Sequence, residues 1–155
     1  MTAATVHAGC VVLGTAGVLL RGRSGSGKSA LAEALVRAAA VAGNFSAHVA
    51  DDRVMLSAGA GRLVARPAAP IAGLLEVRGR GIVAVPHEPA ALVRLVVDLV
   101  PHDQLPRLPE PADLLADVAG IRVPRQMVPE RSTARAVDLV RWALRDILSA
   151  REAPI

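Results

Sequence analysis

Apolar residues come in short runs broken by glycine and proline along most of the chain, and in a 3.6-residue rhythm in two stretches. The runs predict strands at 5–13 and 18–21, joined as a hairpin through the turn 14–17. The first rhythmic stretch predicts a helix over 29–41, with Leu31, Ala34, Leu35 and Ala38 on one face and Gly43-Asn44 ending it. A short strand at 48–50 leads into Asp51-Asp52. Residues 54–56 and 63–65 read as a hairpin, 67–70 as loop, and 74–77 and 82–85 as strands around Arg78-Gly79-Arg80-Gly81. The long apolar run 92–100 predicts a buried strand. A proline-rich loop, 101–111, follows, then a last strand at 121–123. Ser132 stands where a cap belongs for a final helix, 133–150, with Val137, Val140, Leu144 and Ile147 on one stripe. The pattern is that of an α/β protein with a mixed sheet and two principal helices, without internal repeats.

Length and composition narrow this further. The 155 residues suit a single domain, 1–155. Phe45 and Trp142 are the only aromatics, so the core must be built from Ala, Val, Leu and Ile. A lone cysteine, Cys10, excludes an internal disulfide and fits a reducing compartment. No secretory signal is visible and no apolar run reaches 18 residues, which predicts a cytoplasmic protein with no membrane span. The net charge of +4 raises the question of nucleic acid. Against it, the arginines are scattered along the chain and no aromatics are interleaved to stack on bases. Among 18 basic residues Lys28 is the single lysine, so position 28 calls for an ammonium and not a guanidinium.

That lysine sits in Gly22-Arg23-Ser24-Gly25-Ser26-Gly27-Lys28-Ser29, which satisfies G-x-x-x-x-G-K-[ST] between a predicted strand and a predicted helix. In such a phosphate-binding loop, glycines let backbone N–H groups converge on an anion, and the helix N-terminus adds partial positive charge. Lys28 is placed for the β- and γ-phosphates of ATP, and the Ser29 hydroxyl for Mg²⁺. A flexible Gly/Ser linker would not need the full spacing or the lone lysine.

A phosphoryl-transfer site also needs a metal-binding acid and a residue to orient or deprotonate the nucleophile. Asp51 and Asp52, at a strand end, suit either task, or form a simple turn. Glu76, in an apolar strand, faces a metal or cation if buried, or solvent together with Arg78. His7 lies on the first strand, fifteen residues before Gly22, where a lone histidine is more often structural than catalytic. Arg107, Arg125 and Arg131 stand near prolines in predicted loops, as phosphate clamps or as solvated surface.

Together these residues resemble the catalytic domain of HPr kinase/phosphorylase, a family that phosphorylates a serine of the phosphocarrier HPr and in many members reverses the reaction with inorganic phosphate. The loop G-D-S-G-x-G-K-S matches Gly22 to Ser29; A-D-D-R-V stands as Ala50 to Val54; L-E-[IV]-R-G-x-G-I stands as Leu75 to Ile82; an R-L pair stands as Arg107-Leu108; and R-P-G-R-N aligns with Val128 to Ser132. The resemblance runs from His7 to the last helix. It implies a P-loop nucleotide-binding core like that of phosphoenolpyruvate carboxykinase, in a short form without the family's N-terminal domain. It also implies HPr as partner, ATP and Mg²⁺ as cofactors, and hexamers. By resemblance Asp52 is the base, Ser29 and Glu76 hold Mg²⁺, His7 and Arg107 join Lys28 in catalysis, and Asp51, Arg78, Gly79 and Arg131 belong to the site. Arg23, Arg80 and Glu130 depart from the pattern, the first and last replacing an acid and a glycine. The alternatives are a P-loop kinase for another acceptor and an ATP-binding regulator without transfer activity.

Overall fold

The computed structural model describes residues 2–68, 73–149 and 151–155. Eleven strands and two α-helices lie along these residues, three strands before the first helix and eight between the two. β1 (Thr2–His7) and β2 (Gly9–Leu13) are followed by β3 (Ala16–Arg21), α1 (Lys28–Val41) and β4 (Ser46–Ala50). Next come β5 (Arg53–Gly59), β6 (Arg62–Pro67), β7 (Leu74–Val77), β8 (Gly81–Ala84) and β9 (Ala91–Val100). β10 (Leu115–Val118), β11 (Ile121–Pro129) and α2 (Thr133–Ile147) complete the chain.

The main sheet is mixed, in the order β1-β5-β6-β9-β3-β2-β4, with β11 also on β9 and β10 beyond it. β3 and β11 run parallel to β9; the other pairs are antiparallel. Alternate residues of β2, β3 and β9 enter two apolar clusters. Val11, Val18, Leu20, Leu95 and Val97 pack with α1 and α2, whereas Cys10, Val12, Leu19, Val93 and Val96 pack with Val54, Leu56, Leu63 and Ala65. The layer β1-β5-β6 therefore folds over the face that the helices leave free. This is why β2 is apolar throughout, being covered on both sides, while β5 and β6 alternate as strands with one solvent face do.

The expected strand 5–13 is broken at Ala8, whose N–H donates to the Asp52 carbonyl, so that β1 joins the small layer and β2 the central one. The expected last strand is β11, longer than 121–123 and paired with β10, which short local periodicity does not reveal. On α1 the buried stripe is Leu31, Ala32, Leu35 and Ala39, rotated from the expected one because both a sheet and α2 cover it. α2 ends at Ile147, and Ser132 precedes it without a capping bond; its hydroxyl pairs with His102 Nε2 at 3.0 Å. Part of the expected 67–70 loop, including Pro70, lies outside the described residues; Pro67 ends β6. No helix among the described residues is long and apolar enough to cross a membrane.

Candidate active site

The loop 22–29 leaves the end of β3 and enters α1. Its glycines are forced by geometry. A Cβ at Gly22 would meet Ser26 Oγ at 2.7 Å, and Gly27 precedes the helix with φ +100, which an L side chain resists. Lys28 Nζ donates to the carbonyls of Gly22 (2.7 Å) and Arg23 (3.2 Å), folding the ammonium inside the loop. Burial lowers the Lys28 pKa, and the charges of Asp52 and Asp51 oppose that shift. Ser26 Oγ is buried in the loop with no hydrogen-bond partner among the described residues, a polar group of the kind a phosphate oxygen satisfies.

The acids come from the β4–β5 junction. The Arg53 N–H donates to the Asp51 carbonyl at 2.8 Å across Asp52, which has φ +68. This tight turn separates two adjacent carboxylates. Asp51 Oδ1 accepts from Ser29 Oγ at 2.8 Å, while Asp52 Oδ1 lies 3.2 Å from His7 Nε2. A non-glycine residue at positive φ is strained, and such strain collects at functional positions. One carboxylate is thus on the loop serine and the other, two-thirds exposed, is open to an incoming group.

The other candidates are placed as follows. β7 and β8 form a separate two-stranded ribbon beside α1. Glu76 is exposed on it, opposite Ile82, and no hydrogen bond or ion pair joins it to Ser29 among the described residues. Arg78 and Gly79 make the ribbon's turn, with Gly79 at φ +89. Arg107 is exposed and makes no ion pair among the described residues. Arg131 contributes its backbone N–H to the Ser26 carbonyl at 3.0 Å. Among the described residues no group of three or more His, Cys, Asp and Glu forms a ready metal site.

Two ion-pair systems were not legible in the motifs. Arg23 makes a two-pronged bond to Glu130 (2.9 and 2.7 Å), whose side chain is 4% exposed. The hydrogen bonds and charge of Arg23 outweigh burial and hold the Glu130 carboxyl below its ordinary range. Beneath the loop, Asp98 of β9 accepts from Arg21 (2.7 and 2.8 Å) and from Arg125 (2.6 Å). Arg125 thus pairs with Asp98 through its Nε. Burial raises the Asp98 pKa, but Arg21 and Arg125 more than reverse this and leave it depressed. The signal in the sequence was an aspartate between Val97 and Leu99, which cannot be buried alone.

The triad carries a stability prediction. Asp98→Asn leaves two guanidiniums facing each other and should cost about 2–3 kcal/mol, less than a fully buried pair because Arg21 is a third exposed. At this size that is a fall in Tm of roughly 4–12 °C. Because the folded-state pKa is depressed, wild-type Asp98 stabilises above the unfolded carboxylate pKa and loses that contribution as pH falls through the folded value. The Asn variant should lack that part of the acid dependence in thermal melts taken across the acidic range.

The family model for the HPr serine kinase C-terminal domain matches residues 1–153. The chain belongs to that family. A solved structure, the Hpr(Ser) kinase/phosphatase from Coxiella burnetii, superposes with a TM-score of 0.74 at 25% identity over 92% of this chain and 89% of that one. Curated protein sequences yield no match. Arg23 and Glu130, two of the positions that depart from the pattern of the resemblance, are bonded to each other, so their charges neutralise one another.

Proposed function

We propose that this chain is an ATP-dependent kinase that phosphorylates a serine of HPr. The observation that carries this is the division of labour at the β4–β5 turn: Asp51 on the loop serine, and Asp52 beside His7 and open to solvent. The backbone of Gly22 to Ser29 and the Lys28 ammonium bind the triphosphate. Ser29 and Asp51 are oxygen donors suited to Mg²⁺, with Glu76 on the neighbouring ribbon as a further carboxylate, and the ion's charge would neutralise the phosphate oxygens. Asp52 accepts the serine hydroxyl proton as the oxygen bonds to the γ-phosphorus and the bond to the β–γ bridging oxygen breaks, giving ADP and phosphoserine. His7 holds the Asp52 carboxylate in place for this, and Arg107, on the loop after β9, is the remaining cation for the transferring group or the partner. The Arg23–Glu130 bond speaks against a catalytically dead sensor, since two of the three departures that fit one, Arg23 and Glu130 but not Arg80, compensate each other.

The test is transfer from γ-labelled ATP to HPr of the same organism, beside an HPr whose target serine is alanine. Label on the first and not the second is expected. Bound ATP with no labelled HPr would sink the assignment and favour a regulator or another acceptor.

A further inference from the structure

Directly paired residues of antiparallel strands share a face, so the register fixes what the outer layer shows to solvent. On β1, β5, β6 and β9 the inward set is Val6, Val54, Leu56, Leu63, Ala65 and Val93. The outward set begins at His7, paired with Arg53, and continues through Met55 opposite Arg66, and Arg62 opposite Gly59, to Leu92 and Arg94. This face carries four arginines and no acid, although the whole chain has 14 acids against 18 basic residues. None of the four is in an ion pair among the described residues. Met55 on β5 and Leu92 on β9, each 37% exposed, are apolar positions within this cationic frame, with Val64 of β6 paired to Leu92 on the side toward Met55. Where β6 and β11 diverge from β9, a groove of about 300 Å³ extends the surface between Arg62, Arg94 and Arg122.

The face starts at the residue that touches Asp52. From Arg53 to Gly59, opposite Arg62, is six residues, roughly 20 Å at the usual strand rise. A standard interface buries about 800 Å² per partner, so one bound protein spans this length. A protein whose hydroxyl reaches Asp52 from the His7 side extends over this sheet. We propose that the solvent face of β1-β5-β6-β9 is the docking surface for the protein acceptor, and that the acceptor meets it with acidic side chains around a small apolar contact. This rests on the kinase reading above. Nucleic acid fits the face less well, because it has no aromatic to stack on bases and ends on a carboxylate.

The experiment measures kcat and KM for HPr, and ATP affinity, in wild type, Arg66→Glu/Arg94→Glu and Arg66→Lys/Arg94→Lys, at several ionic strengths. These arginines lie outside the phosphate and proton-transfer machinery, and thermal melts check that the variants fold. Should the glutamate variant unfold, Arg66→Gln/Arg94→Gln is read in its place. Expected for the glutamate variant is a KM for HPr raised about tenfold, as for loss of charge steering at an interface, with ATP affinity and kcat unchanged. The lysine variant should stay near wild type, and wild-type KM should rise with salt. An unchanged KM with no salt dependence, while wild type still phosphorylates HPr, overturns the docking surface alone. Loss of binding to a DNA duplex at unchanged KM assigns the face to nucleic acid and also overturns it. No transfer by wild type removes the HPr assignment and the docking surface with it.

Discussion

Asp52→Asn should leave ATP bound and reduce phosphoryl transfer to HPr by about 10²–10⁴-fold, the range general-base catalysis supplies. Asparagine is the informative replacement because of the backbone. Position 52 has φ +68, a conformation that Asn and Asp tolerate and that alanine resists by roughly 1–2 kcal/mol. Asp52→Ala would therefore mix loss of the proton acceptor with relaxation of the turn that also places Asp51 on Ser29. With Asn the turn is kept, the amide can still face His7, and only proton acceptance is removed. Single-turnover transfer and nucleotide binding, measured on the same preparation, separate the two. A loss under tenfold would remove Asp52 as the base; a loss of ATP affinity equal to the loss of rate would make it a binding residue. His7→Ala should have the smaller effect, since it acts through Asp52.

The pairing of Asp52 with His7 also shows what the sequence could reveal. The loop 22–29 as a glycine-rich turn between strand and helix, the helix after it and the apolar run that became β9 were legible because each is a local pattern: fixed glycine spacing, a 3.6-residue rhythm, a long unbroken hydrophobic stretch. The Asp51-Asp52 pair was legible as a candidate at a strand end, but local pattern did not show that the two carboxylates part toward Ser29 and His7, since that depends on one residue at positive φ between β4 and β5. The break at Ala8 was hidden because both halves of 5–13 are β-rich, and only a hydrogen bond to the distant Asp52 carbonyl parts them. Ion pairs spanning 77 and 107 residues, Arg21–Asp98 and Arg23–Glu130, leave no local pattern that names the partner; for Asp98 the apolar neighbours show only that one is needed. Glu130 read alone is an unpartnered acid; its arginine partner comes from the loop itself, 107 residues earlier. The arginine-rich sheet face likewise needed the register: along the chain its residues are interleaved with core positions and look scattered.

The second large effect concerns Lys28. Lys28→Met should weaken ATP binding by about 10–100-fold, the worth of one charge-assisted hydrogen bond to phosphate, and lower transfer by a further 10²–10³-fold where charge develops in the transition state. The more demanding variant is Lys28→Arg. The chain uses arginine at every other basic position, so a merely cationic requirement would be met by the substitution. The loop imposes a tighter one. Lys28 Nζ is held between the Gly22 and Arg23 carbonyls, while the space around Gly22 is already closed by Ser26 and Leu99. A planar fork has no room to turn there, and its five donors cannot be satisfied by two carbonyls and a phosphate. Lys28→Arg should therefore resemble Lys28→Met in transfer, with ATP binding only partly kept. The depressed Lys28 pKa adds a sign. The ammonium binds phosphate and the free amine does not, so wild-type affinity for ATP should start to fall with rising pH below the range of an ordinary lysine, while Lys28→Met should show no such fall. Calorimetric titration with ATP over that range measures it. Full transfer activity in Lys28→Arg would refute the size argument and leave charge alone as the requirement.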